Sequence, residues 1–446
     1  MNLLRAEFTK FRSVPGWVRG VVMAALLILL FPVTGLGGGP GDEPSPVTGP
    51  DGQPVNNSYS FVHRPLTGDG QITVAVSKLS SEQDGPWAKA GLMVRAGSRY
   101  AAIMVTGGHG VRMQHDYLYD KAGPAVRWLR LTRSGGTVTG EASADGSRWT
   151  VVDKVQLSGP AQAGLFVACP SRIRGIAIAD DTATAVFSRP ELAGAWPVAD
   201  WAGSVVSSDA GFTMTGRGDL GPATRSDVPV GVAVGDLLFG TFPALIVIVV
   251  VGTLMVTTEY RYGVIRLSLS AGTGRVRVLL AKAAVLAGAT FAAALLASAL
   301  AVPLWLRVVR GLGAYVFPAG PLALLRAEVG TAAVLAITAV LALSVGLILR
   351  RSATAVTTVV VVTVLPYLLA LTPFLPPSVA QWMTRVTPAA AFAVQQTLTR
   401  YPQVDSVYTP ANGYYPLAPW AGLAVLCGYT AVALAVAAVL LRRRDV

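Results

Sequence analysis

The sequence predicts an α-helical polytopic membrane domain of about six transmembrane helices, with an all-β sandwich inserted between the first helix and the rest. Three observations predict it. Apolar residues fall in blocks of about 20 or more without a charge, long enough to cross a hydrocarbon core of roughly 30 Å. A stretch of ordinary, mixed composition separates the first block from the others. Basic residues gather in the segments that would share one face of the membrane. The chain of 446 residues is 52% hydrophobic and only 13% charged, about half the charge of an average soluble protein near 25%.

The blocks run in order over residues 17–36, 230–256, 279–306, 330–349, 353–375 and 417–441. Pro32, Pro303 and Pro366 lie in or near span ends, where neighbouring helices satisfy the carbonyls a proline frees. A signal peptide is the rival reading of the first block, since Arg5, Lys10 and Arg12 precede it and small residues follow. Its apolar run is long for such a segment, so a retained helix is expected. The resulting division is 1–36 for an N-terminal interfacial helix and first span, 37–55 for a Gly/Pro-rich linker, 56–190 for the sandwich, 191–228 for a turn-rich return to the membrane, and 229–446 for the other five spans.

Charge sets the orientation. With the N-terminus inside, the inner segments are 1–19, 257–282, 350–351 and 442–446. They hold fourteen of the 36 Lys/Arg residues against three acids, Glu7, Glu259 and Asp445. The remaining 22 basic residues face 21 acids, so nearly the whole net charge of +12 sits on one side. Both termini are expected in the cytosol and residues 37–228 outside. The basic balance then needs no nucleic-acid partner. Thirty Arg against six Lys, with abundant Ala, Val and Gly, suggests a bacterium with a GC-rich genome.

From 56 to 190 short alternating runs are bounded by turn residues. Ile72, Val74 and Val76 alternate with Thr73, Ala75 and Ser77, the period of a half-buried strand. Gly135-Gly136 and Asp145-Gly146 sit between runs as hairpin turns. Nine or more such strands indicate an antiparallel sandwich. The segments PWAKAGLMVRAGSRYAAIMVTGGHGVRMQHDY (86–117) and RWLRLTRSGGTVTGEASADGSRWTVV (127–152) resemble concanavalin A-like, laminin-G-like jelly rolls of the kind appended to bacterial β-xylosidases. That resemblance implies a jelly-roll sandwich that could bind glycan, substrate or a partner protein. Trp87 and Trp128 are the candidate sugar-stacking residues, with core packing as the competing role for both. His63, His109 and His115 lack the spacing of a metal motif. The RGD triad at 217–219 is read as a chance match in a loop.

No Gly-rich phosphate loop ending in Lys-Ser/Thr and no nucleophile–base set occurs, so the chain carries no ATPase motif and no enzyme chemistry of its own. Its strongest motif is TTEYRYGVIRLSLSAGTGRVRVLLAKA, 257–283. Glu259, Tyr260, Arg261, Gly263, Arg266, Arg275 and Lys282 stand there in an order similar to that of type-2 (ABC-2) permeases of the ATP-binding-cassette exporter superfamily. The opening MNLLRAEFTKFRS, an amphipathic helix with Leu3, Leu4 and Phe8 on one side, and RVTPAAAFAVQQTL (385–398), a re-entrant segment, resemble the same family. The large insert departs from it.

The resemblance implies a permease subunit without cofactors of its own. Its implied partners are a separate ABC ATPase that uses the ATP, a second permease in a homodimer or heterodimer, and membrane lipids. Residues 257–283 are the expected ATPase-coupling segment, since an amphipathic element can dock by Val264, Ile265, Leu267 and Leu269 while its arginines pair with acids or lipid head groups. Asp236, near the outer end of the second span, is a boundary residue or a substrate contact. The competing function is a membrane-anchored surface receptor for glycan or protein, without transport.

Overall fold

The computed structural model describes residues 3–32, 46–174, 177–208, 211–261, 274–372 and 375–443. The chain forms two compact units, one of residues 1–44, 230–400 and 408–446 and one of 45–229 with 401–407.

The first unit is helical. Its elements are α1 (Leu3–Ser13), α2 (Pro15–Leu30), α3 (Val234–Leu237), α4 (Thr241–Arg261), α5 (Arg275–Gly311), α6 (Pro321–Leu349), α7 (Ser352–Thr363), α8 (Leu365–Leu371), α9 (Pro377–Val386), a 3-10 helix Pro388–Gln395, a short 3-10 turn Pro410–Asn412, and α10 (Pro419–Arg443). Among the described residues, five stretches are long and apolar enough to cross a membrane: α4, α5, α6, α7 with α8, and α10. A sixth exists if α1 and α2, bent by 81°, count as one span. Pro15 explains the bend, because its ring disfavours a helical Val14; Val14 is extended and Pro15 opens α2.

Several boundaries differ from the sequence reading. Residues 230–240 are not the start of the second long helix. They fold as the short α3 and a turn, and α4 begins at Thr241. The break is a turn over 238–240, and Gly240 there lets the chain pass close to α2, since a Cβ would lie 2.1 Å from the Leu27 carbonyl oxygen. The third helix is far longer than 279–306, at 37 residues. The expected fifth span is divided at Val364, just before Pro366.

The second unit is a sandwich of two antiparallel sheets. One runs in the order β10 (Thr150–Gln156), β9 (Thr137–Ser143), β8 (Trp128–Ser134), β3 (Gly70–Ser81), β14 (Ala183–Phe187), β17 (Gly211–Gly216), β16 (Val206–Ser208), with β15 (Glu191–Gly194) also on β3. The other runs β2 (Ser60–Leu66), β11 (Ala161–Ala168), β4 (Lys89–Ala96), β5 (Arg99–Thr106), β6 (Val111–His115), β7 (Tyr119–Ala122). Two ribbons complete it, β1 (Val55–Asn57) with β18 (Leu220–Pro222) and β12 (Arg172–Arg174) with β13 (Ala177–Ala179).

Ile72, Val74 and Val76 point into the core between the sheets, with Leu92, Ile103, Leu129 and Leu165, as the period of two requires. The second sheet is buried on its other face too. Met93, Tyr100, Met104 and Phe166 there pack with Val55 and Leu220, which accounts for the unbroken apolar run in β4. Residues 191–228 are therefore not a simple return segment: β15 to β18 belong to the sandwich.

Candidate functional site: a buried lysine–glutamate cluster

α1 is amphipathic, but its buried face is not the one its leucines suggest. Leu4 and Phe8 are more than half exposed, while Glu7 and Phe11 are buried. Residues four apart lie on one helix face, and Phe11 reaches Trp17 of α2 in a stacked contact at 6.3 Å. Glu7 is thereby turned into the bundle.

It meets two other buried charges. Glu259 lies in the last turn of α4 and Lys282 in the third turn of α5, 6% and 4% exposed. The Lys282 Nζ donates to Glu7 Oε2 at 3.0 Å and to Glu259 Oε1 at 2.7 Å. Lys10, whose side chain keeps a partly exposed edge, also pairs with Glu259. Two carboxylates and two ammonium groups thus neutralise one another. The arrangement is what burial demands, since an isolated ion in the interior carries a desolvation penalty of several kcal/mol. Each of the three helices supplies a charge that only the other two can satisfy, so the cluster fixes their ends together.

The ends of α4 and α5 border residues 262–273. Of the predicted coupling residues, Gly263 and Arg266 lie outside the described residues, as does the side chain of Arg261. The structure brings Glu259 and Lys282 into direct contact. It places Tyr260 under the Arg350 guanidinium, 4.9 Å from the ring centroid, a cation–π distance. Arg275 donates to the Leu441 carbonyl at 3.2 Å, near the end of α10, where a cation suits the helix dipole. Four of the seven predicted residues therefore tie helix ends together.

Sequence reasoning missed Glu7 and Lys10 as site residues. The available signal was that Glu7 is the sole acid before Asp42, set on an amphipathic helix three residues from Lys10.

Residues 385–398, expected as a re-entrant segment, contain the 3-10 helix, whose eight residues are all buried. Gln395 anchors it by donating to Thr241 Oγ1 and Thr331 Oγ1, each at 3.0 Å. Asp236 lies in α3 rather than in a long helix. Its Oδ2 accepts the Ala233 amide at 2.8 Å, which caps the start of that short helix.

In the β unit, Trp87 is 7% exposed. His109 lies 4.0 Å from its ring, and Arg112 and Lys89 approach it at 5.7 and 6.0 Å. It is a packed residue without an open stacking face. Trp128 is half-buried, with its ring against Gly146. Asp219 of the RGD triad is turned inward, its Oδ1 accepting from Lys89 Nζ at 2.6 Å, so the triad does not present its carboxylate. Among the described residues, no three of His, Cys, Asp and Glu gather as metal ligands.

Neither a protein-family model nor a curated protein matches the chain. Among solved structures, it is similar to a functionally unknown protein from Saccharomyces cerevisiae at 20% identity and a TM-score of 0.21, over 32% of this chain and 77% of that one. That likeness bears on neither fold nor function.

Proposed function

We propose that the chain is the permease subunit of an ABC-2-type exporter in a bacterial plasma membrane. Both termini lie in the cytosol, residues 37–228 lie outside, and a separate ABC ATPase supplies the work to a dimer of permeases. The apolar helices and the crowding of arginines at the ends that would face the cytosol support this placement.

One observation carries the reading: the Glu7–Lys10–Glu259–Lys282 cluster. A subunit driven from outside itself needs a place where a push on a short segment becomes a movement of long helices. α4 ends and α5 begins on either side of residues 262–273, and the cluster joins α4 and α5 to α1. Parting them leaves a buried charge without its partner, so the three helices move as one body when the segment moves. The substrate is apolar or amphipathic, because the helices carry few charges. The outer sandwich binds substrate, glycan or a partner protein.

Co-purification with an ABC ATPase from the same cells tests this. The full chain in lipid nanodiscs should stimulate ATP hydrolysis by its partner, and Glu259→Gln should reduce that stimulation at least fivefold. Absence of any bound ATPase, or equal stimulation by the variant, overturns the coupling role.

A further inference from the structure

A groove of about 660 Å³ runs along the outside of the helical unit between α6, α7 and α10. Val345 and Ile348 of α6, Val359 and Val362 of α7, and Gly428 and Val432 of α10 line it. On α10 the lining extends from Ala424 to Val436, about 18 Å at 1.5 Å per residue. That length is close to one leaflet, half of the roughly 30 Å hydrocarbon core. Val432 is 66% exposed, so the groove is uncovered.

A second recess of about 570 Å³ shares Thr358 and Val362 with the first. It is lined by Thr354 and Thr357 and reaches Ala353, two residues beyond Arg351. Apolar walls therefore give way to hydroxyls, and Arg351, the N-cap residue of α7, follows at the same end. Arg442 and Arg443 close α10 at its basic end, and these three arginines are exposed. Neither α7 nor α10 contains an acid.

We propose that this groove holds one glycerophospholipid with an anionic head group, its acyl chain against Gly428 and its phosphate at Arg351. The charge pattern selects this occupant over a second copy of the chain. A two-fold interface sets one patch against itself, and here it would face arginine with arginine. An anionic lipid meets them with opposite charge, which attracts it to the near-surface cations. The inference rests on α6, α7 and α10 spanning a membrane, and it does not need the exporter reading.

Native mass spectrometry of the full chain, stripped of lipid and then given phosphatidylglycerol or phosphatidylcholine of the same chain length, tests it. One phosphatidylglycerol should be retained at least tenfold better than phosphatidylcholine. Gly428→Leu should abolish that retention; position 428 is exposed and a Cβ there meets nothing within 4 Å, so the side chain grows into the groove and not into a helix contact. Arg351→Gln should remove the head-group preference alone. Equal retention of both lipids, or retention unchanged by Gly428→Leu, overturns the proposal. So does a dimer that Gly428→Leu dissociates, because a second copy then fills the groove. No ATPase enters the measurement, so its failure leaves the coupling test standing, and the reverse holds.

Discussion

Lys89 and Lys282 are both buried lysines, 0% and 4% exposed, yet they sit in opposite mechanical settings. Lys89 is in β4, hydrogen-bonded to β5 on one side and β11 on the other. Its ammonium donates to Asp219 at 2.6 Å and to the Leu220 carbonyl at 2.7 Å, which fastens the β1–β18 ribbon to the sheet. Lys282 has no such lattice around it. Helices satisfy their own backbones, so at the ends of α1, α4 and α5 side chains join what no ladder joins. The comparison teaches that one type of interaction can be a staple in a sheet and a joint in a bundle. What decides is whether the backbones it connects are already bonded to one another.

The largest expected effect belongs to the staple. Lys89→Met leaves Asp219 buried without its cation, and breaking such a pair costs about 3–5 kcal/mol. Hydrogen exchange on the full chain, read peptide by peptide, should show protection lost across 217–222 and β4 while the helical unit is unchanged. Adding Asp219→Leu should recover much of the loss, since a buried pair replaced by apolar groups is often neutral. If the double variant is no better than the single, Asp219 is not the partner that matters.

The joint should yield less. In Lys282→Met, Lys10 still serves Glu259 while Glu7, on a short helix, loses its cation, so the loss should fall near the lower end of the same range of about 3–5 kcal/mol. Exchange should rise at the ends of α1, α4 and α5 but not in their middles. Uniform loosening of the unit would mean that the cluster is a staple after all, and the contrast with Lys89 would fall.

A third test compares the two units by steric means. A Cβ on Gly91 of β4 would lie 2.1 Å from the Ile103 carbonyl oxygen, and one on Gly422 of α10 would lie 2.1 Å from the Ala390 oxygen. The nearest approaches are equal, but a Cβ on Gly91 would next meet the Met104 Cα at 2.6 Å, and one on Gly422 would next meet atoms at 3.0 Å. Strands bonded on both sides are held by backbone ladders, whereas α10 meets the 3-10 helix through side-chain and close backbone packing alone. Gly91→Ala should therefore cost near the upper end, and Gly422→Ala near the lower end, of the roughly 1–3 kcal/mol range for overpacking. Thermal unfolding of the full chain checks the order.

The same contrast explains what was legible in the sequence. Long apolar runs and alternating strands are local patterns, so the helices and most of the sandwich could be read directly. Glu259 and Lys282 stand in one motif, 23 residues apart, but nothing in that spacing pairs them. Glu7 pairs with Lys282 across 275 positions, and no spacing rule covers a contact made by tertiary packing. The strands at 191–194, 206–208, 211–216 and 220–222 are only three to six residues long and rich in Gly and Ser. Their pairing is set by β3, β14 and β1, not by their own periodicity. Hydropathy runs residue 236 into the long helix, because it does not register the turn over 238–240 that separates α3 from α4.

The smallest effect concerns the two cysteines, Cys169 buried in the sandwich and Cys427 exposed on α10. Burial first, then the nearby Asp181 charge, pushes the Cys169 thiol from its ordinary value of 9.0 up to about 12. A raised folded value favours the neutral thiol. Its contribution to stability is complete below pH 9, where the unfolded thiol is also protonated, and is lost as pH climbs from there through about 12. Between pH 7 and 9 the thiol should therefore neither titrate nor destabilise the sandwich. In sealed vesicles a charged thiol reagent should reach neither cysteine, for two different reasons. Mild detergent should free Cys427 alone, because a bilayer covers it and packing does not; denaturant should free both. Labelling of Cys427 in intact vesicles would place α10 against water and remove the membrane from one side of the comparison. Labelling of Cys169 before denaturation would show a sandwich that opens, and so remove the rigidity from the other.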